Sequence, residues 1–373
     1  MDHAGRLRRL RSGIEESDLD SLLVTHLPNV RYLCGFTGSA AALLVADRAS
    51  ILFTDGRYRT QAEEEVKDAK AKIKIKIIVA RKSPAVAAAE WFAEQRRRSL
   101  PASLGIEAES ITAGMWDRLA AELKGRKGTG KVRLRSAPPL VERARMVKDA
   151  AELLYIRRAV ELGASLFAIA RKKIRPGVTE VEVAAAMEYE ARCAGAEGMS
   201  FATILASGAR SAIVHGRASG APIPRQGFVV CDFGVILTGY CSDRTRTVHV
   251  GQPSREARQL YEAVLEAQQA AIEAVRPGVT CAEVDGAARR VLRRRGLARY
   301  FTHSTGHGLG LEIHEAPRLA AGQSQKLEPG MVVTIEPGAY VPGKWGVRIE
   351  DVVVVTPSGC EVLTPTDKNL VVI

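Results

Sequence analysis

Four carboxylates in this sequence stand where a carboxylate is hard to keep. Asp232 ends the apolar run GFVVC, and Asp243 follows eleven residues later in GYCSDRTRTVHV. Glu336 ends the run VVTI, and Glu350 lies within GVRIEDVVVV. A buried carboxylate needs a cation or several hydrogen-bond donors, and the only cations near the first pair in sequence are Arg244 and Arg246. Three histidines, His303, His307 and His314, fall within twelve residues, among glycines that let backbone approach a site closely. Four carboxylates and one of these imidazoles match the charge and donor set of two divalent cations. Paired catalytic cations sit about 3.5–4 Å apart, bridged by carboxylates, and activate a water for hydrolysis. Oxygen-rich ligation with one nitrogen suits manganese first, with cobalt, iron or zinc as alternatives, and is not a thiolate zinc site. The helical zinc motif HExxH is absent: the local string is HEAPR, and its fifth residue is Arg318.

Strand patterns place these groups. Apolar β-rich runs flank Gly234–Gly239, which predicts a hairpin that returns Asp243 toward Asp232. Glu336 points opposite Ile335, and Arg348 and Glu350 share one strand face while Val347 and Ile349 take the other. An internal repeat then relates the two groups of acids. IRPGVTEVEV begins at Ile174 and VRPGVTCAEV at Val275, an offset of 101 residues that also aligns Ala186 with Ala287 and Gly195 with Gly296. Each copy holds a capping box that opens a helix, Thr179 with Glu182 and Thr280 with Glu283. Two related α+β halves facing one another leave a cleft, with Asp232 and Asp243 from one half and the remaining candidates from the other.

The first ~140 residues alternate strand-like runs (Ser21–Thr25, Ala41–Ala46, Ser50–Thr54, Ile73–Ala80) with helical patterns (Tyr58–Val66, Pro84–Arg97, Ala113–Leu123). That predicts an α/β domain with a mixed sheet. The proline pair in SAPPLVERARM marks the boundary, giving domains 1–138 and 139–373. No run reaches the ~20 apolar residues of a membrane helix. The basic N-terminus lacks the apolar stretch of a secretory signal, so a cytoplasmic protein is expected. Six scattered cysteines without a CxxC pair read as reduced core residues, although Cys231 and Cys241 adjoin the candidate aspartates. The net charge of +12 gathers at Arg96–Arg98, Lys124–Arg135 and Arg289–Arg299. With aromatics at only 5%, these clusters read as solvated faces and no nucleic-acid partner is expected. GRKGTGKV has Val132 where a phosphate loop needs Ser or Thr, and GHGLG opens no helix.

At these motifs, over essentially the whole chain, the sequence resembles the metallopeptidase family of prolidase, aminopeptidase P and methionine aminopeptidase, with its pita-bread catalytic fold. The family's DxG…GYxSDxTRT segment is matched by Asp232, Gly234 and GYCSDRTRT, its HxTGHGxGxxxHE segment by His303–Glu315, and its EPGxY and GVRIED segments by Glu336–Tyr340 and Gly346–Asp351. The resemblance implies a creatinase-like N-terminal domain, which methionine aminopeptidase lacks. It implies Asp232, Asp243, His307, Glu336 and Glu350 as the ligands of two metals, a set that the metal-free creatinase does not keep. It further implies Glu336 as general acid/base, His314 as hydrogen-bond donor to the scissile amide, and His215 on the substrate side of the cleft. His303, Arg318 and Arg348 become substrate-contact or supporting residues, Arg318 matching an arginine that some prolidases use to grip a dipeptide carboxylate. The implied reaction is Xaa-Pro cleavage of a proline-containing peptide by a homodimer. An Xaa-Pro aminopeptidase comes first and an Xaa-Pro dipeptidase second. A non-catalytic interaction protein of the same fold is the reading of another class, opposed by the complete ligand set.

Overall fold

The computed structural model describes residues 1–68, 75–95, 102–124, 132–364 and 367–373. The chain divides into two units, Met1–Arg145 and Met146–Ile373.

In the first unit, short leucine- and β-branched-rich runs form strands β1 (Ser21–Val24), β2 (Ala41–Ala46), β3 (Ser50–Thr54), β4 (Ile75–Val79), β5 (Ala102–Ile106) and β6 (Val132–Ser136). They hydrogen-bond in the order β4-β3-β2-β1-β5-β6. The β1–β2 and β2–β3 pairs are antiparallel and the others parallel, the mixed sheet that the sequence predicts. Helices α3 (Arg59–Asp68), α4 (Pro84–Gln95) and α5 (Ala113–Lys124) follow the expected pattern. Ile73, Lys74, Arg96, Arg97 and Arg98, and Gly125–Lys131 of the basic and phosphate-loop-like string, lie outside the described residues. Three elements exceed the sequence expectation. Helix α1 (His3–Glu16) is dense in charge, yet buries Leu7, Leu10 and Ile14 as one stripe. Helix α2 (Leu27–Cys34) is only eight residues long and carries Pro28 in its first turn. Strand β5 reads ASLGI, whose small residues dilute the apolar signal.

Helix α6 (Leu140–Met146) runs across the boundary, and in the second unit the repeat is visible as structure. Helices α7 (Ala150–Lys173) and α8 (Glu180–Cys193) in one half answer α9 (Arg255–Ala274) and α10 (Cys281–Arg294) in the other. Both capping boxes form, with Thr179 and Thr280 each accepting from the backbone three residues on. The turns before them use Gly177 and Gly278 at φ 88° and 83°, a left-handed conformation that favours glycine. Among the described residues, β7 (Gly198–Met199), β10 (Val235–Leu237) and β11 (Tyr240–Cys241) make a small sheet. The first-half sheet has the order β20-β12-β9-β8, from β8 (Ile204–Ser207), β9 (Gly227–Phe233), β12 (Arg244–Val250) and β20 (Val371–Val372). The second-half sheet has the order β14-β13-β15-β18-β19, from β13 (Gly306–Gly308), β14 (Glu315–Leu319), β15 (Val332–Ile335), β18 (Asp351–Val355) and β19 (Cys360–Val362). A ribbon of β16 (Gly338–Val341) and β17 (Trp345–Arg348) completes it.

Apolar faces of the helices cover one face of each sheet. Leu166, Phe167, Val183 and Met187 pack with Leu205, Val229 and Val248 in the first half. Leu260, Val264, Val284 and Ala288 pack with Val333, Ile335, Val347 and Ile349 in the second. The alternating residues Asp232, Glu350 and Arg348 are thereby turned away from helix and core.

Candidate metal centre

Asp232 lies on β9, with Thr245 of β12 as its antiparallel partner, and Asp243 immediately precedes β12. The connection between them is longer than a plain hairpin, because Val235–Leu237 and Tyr240–Cys241 leave to pair with each other. Glu336 follows β15, and Glu350 sits where β17 hands over to β18. His307 is the central residue of β13. A methyl group at Gly306 would overlap the Thr334 carbonyl, so glycine is required for β13 to lie this close to β15.

The five side chains converge. Carboxylate oxygens of Asp232, Asp243 and Glu350 lie within 4.8 Å of one another. His307 Nε2 lies 3.4 Å from Glu336 Oε1 and 3.6 Å from Asp243 Oδ2. His307 Nδ1 faces the Gly308 carbonyl at 3.0 Å, which fixes the proton there and leaves the Nε2 lone pair directed at the acids. Burial pulls its pKa down to about 4 against the opposing Gly308 hydrogen bond, and so keeps the ring neutral. Burial first, then Asp232 and Glu336, raises Asp243 well above the ordinary carboxylate range, and burial with Asp243, Glu336 and Asp232 does the same to Glu350. Glu336 is raised to about 8, chiefly by burial.

Carboxylates held this close, out of water, resist ionising together unless cations join them. The donor set fits that role: Asp232 Oδ1 and Glu350 Oε1 are buried without a hydrogen-bond partner, leaving lone pairs for a metal. The second oxygens are used. Thr245 Oγ1 donates to Glu350 Oε2 at 2.8 Å, and Thr334 Oγ1 to Glu336 Oε1 at 3.4 Å.

The cation beside Asp232 comes from far along the chain: Arg348 Nη2 donates to its Oδ2 at 2.5 Å. The arginines adjacent in sequence go elsewhere. Arg246 pairs with Asp351 at 2.7 Å and also donates to the Glu350 carbonyl, and the Arg244 guanidinium lies 5.0 Å from the Phe167 ring centre.

Arg348 is also the start of a chain. Its Nη1 donates to the Tyr340 hydroxyl at 2.6 Å and to the Val214 carbonyl at 3.1 Å, and Tyr340 in turn meets His303 Nε2 at 2.9 Å. Burial, then Arg348, pushes His303 down to about 4. The His314 ring stands edge-on to His307 with centres 4.4 Å apart and is exposed. His215 is exposed too, and it lies close enough to add to burial in lowering the pKa of both His303 and His314. Arg318 is exposed on β14 directly opposite His307 in the ladder. The structure thus gathers every candidate around one centre. Sequence reasoning assigned no role to Thr245, Thr334 or Tyr340. The threonine alternation Asp243-Thr245-Thr247 was the available signal for the first, since period two puts all three on one face.

Residues 155–357, which contain all five converging side chains, match the family model described as metallopeptidase family M24. The chain belongs to metallopeptidase family M24. It is accordingly a metal-dependent hydrolase, of mixed α/β fold. Residues 6–147 match the creatinase/prolidase N-terminal domain, so the M24 unit is preceded by the domain that the sequence resemblance implied. The chain is 35% identical to an "Xaa-Pro dipeptidase" of Pyrococcus horikoshii, covering 98% of both chains. Among solved structures it is similar to "Xaa-Pro dipeptidase from Bacillus anthracis", with 37% identity, TM-score 0.91 and full coverage of both chains. It is also similar to an "X-Pro aminopeptidase from Thermotoga maritima MSB8", with 34% identity, TM-score 0.85 and coverage of 98% and 99%.

Proposed function

We propose that this M24 hydrolase cleaves the Xaa-Pro bond of short peptides. Asp232, Asp243, His307, Glu336 and Glu350 would hold two divalent cations, manganese by preference. The observation that carries the reading is the convergence of these five side chains beside a wall of imidazoles and guanidinia. Bound there, the cations would supply Lewis-acid chemistry, making a water more acidic and the scissile carbonyl more electrophilic.

The chain's own residues do the rest. Glu336, steadied by Thr334, takes a proton at its carboxylate and returns it to the leaving imino nitrogen. His314, exposed beside His307, donates to the oxygen on which charge develops. His215 and His303 orient the peptide, and Arg348 holds Asp232 and the His215 loop in one frame. A homodimer belongs to the same proposal, and sedimentation as a monomer would remove it.

Arg318 favours the dipeptidase as the finer assignment. It is an exposed cation opposite His307, and among the described hydrogen bonds and ion pairs none engages its guanidinium. A substrate carboxylate one residue beyond the scissile bond suits it. The aminopeptidase is the second reading, favoured by the similarity to a chain of that name. Assay of Xaa-Pro against Xaa-Pro-Xaa peptides decides: a dipeptidase leaves the tripeptide intact, and rapid tripeptide cleavage assigns the aminopeptidase. Turnover of neither peptide rejects the proposal.

A further inference from the structure

Glu180, the first residue of α8, is fully buried. Its Oε1 accepts from Ser207 N and Oγ at 2.8 and 2.9 Å, and its Oε2 from Ser219 N and Oγ at 3.2 and 2.7 Å. Arg210 Nε lies 3.2 and 3.1 Å from the two oxygens, while its Nη2 donates to the Arg217 carbonyl at 2.9 Å. Turns at Ile213 and Gly216 close the segment between. Residues 207–219 therefore form a closed loop whose two ends and one side meet on a single carboxylate. The loop carries His215, and Arg348 reaches its Val214 carbonyl.

The repeat shows that the fold itself does not demand this acid. One repeat length on, the equivalent of Glu180 is Cys281. The backbone bonds are kept, Glu180 N to Ala221 O and Val181 N to Ser219 O matching Cys281 N to Gln325 O and Ala282 N to Gln323 O. Only the half that bears His215 has placed a buried carboxylate there, with a full set of donors to satisfy it.

We propose that Glu180 is a positioning residue of the substrate cleft, holding loop 207–219 so that His215 meets the peptide. It acts through His215 and not on the metal ligands. The inference rests on the Xaa-Pro peptidase reading.

The test combines steady-state kinetics on an Xaa-Pro dipeptide with amide hydrogen exchange and manganese titration of the metal-stripped protein. Glu180→Ala should raise KM roughly tenfold, with kcat within about threefold and manganese affinity within about twofold of wild type. Exchange in residues 207–219 should accelerate about tenfold or more, with β9 and β12 unchanged. In a His215→Ala background the same change should add less than about threefold, because two residues acting as a unit are not additive. KM unchanged, or effects that multiply fully with His215→Ala, would overturn the proposal, as would a loss confined to kcat and metal affinity. Should Glu180→Ala not fold, Ser219→Ala removes one hydroxyl donor and must shift KM and loop exchange in the same directions, more weakly; no shift in either rejects the role. Wild-type protein that leaves Xaa-Pro peptides intact sinks the functional reading instead, and loop exchange then still decides whether Glu180 holds the segment.

Discussion

Arg348 donates to Asp232 across 2.5 Å with both side chains buried, joining the ribbon of the second half to β9, an inner strand of the first. Removing one partner of a buried pair leaves an uncompensated charge and costs about 3–5 kcal/mol. Arg348→Met should therefore destabilise the metal-free protein by about that amount in urea. Saturating manganese should shrink the loss, since divalent cations then supply the positive charge. Equal losses with and without metal would show that Arg348 serves packing alone. Lysine is a poor substitute, because one guanidinium serves Asp232, Tyr340 and the Val214 carbonyl at once.

The metal-free protein should lose stability as pH rises from about 7 to 8. Glu336 is raised in the fold to about 8, so the folded state keeps a proton that the unfolded chain, with a glutamate pKa of about 4.3, has already lost. That contribution is fully present below the unfolded value and disappears as pH climbs through the folded one. His303 and His307 are depressed to about 4. Their contribution has the opposite sign and is complete once pH exceeds the unfolded value of about 6.5, which is why the window starts at 7. Melting temperature with chelator at pH 7 and 8 is the measurement. Manganese-loaded protein should show a smaller decline, and binding should release protons.

Gly306→Ala should reduce activity about 100-fold while leaving a folded protein, because β13 must move for a methyl group to clear the Thr334 carbonyl. His307 moves with the strand. Kinetics alongside circular dichroism check this; unimpaired kcat/KM would mean that β13 tolerates the shift.

Arg318→Ala should weaken hydrolysis of an Xaa-Pro dipeptide roughly 10- to 100-fold, mostly in KM, on the scale of a lost charge-assisted contact. A dipeptide amide, which lacks the terminal carboxylate, should be a poor substrate for wild type and no poorer for the variant. Equal loss on both compounds would place Arg318 outside carboxylate recognition.

Much of this site is legible in the sequence because its signals are local. The apolar run before Asp232, the two-residue alternation around Glu350 and the capping boxes at Thr179 and Thr280 each need only a few neighbouring residues to read. The partner of Asp232 is not local. Arg348 lies 116 positions away, and the arginines next to Asp243 in sequence are turned toward Asp351 and Phe167 by the strand's own pleat. Choosing among three clustered histidines likewise requires the Gly308 carbonyl that frees the Nε2 of His307. In the first unit α1 hides its stripe among charges, since Arg6, Arg8 and Arg9 interrupt the apolar positions.

Manganese titration of metal-stripped protein, followed by calorimetry and by Xaa-Pro hydrolysis on the same samples, tests the central claim most directly. Two ions should bind per chain and activity should return with them, while Asp243→Ala and His307→Ala should fold, bind fewer ions and hydrolyse nothing measurable. Full hydrolysis by the stripped enzyme, or by either variant, would contradict the account.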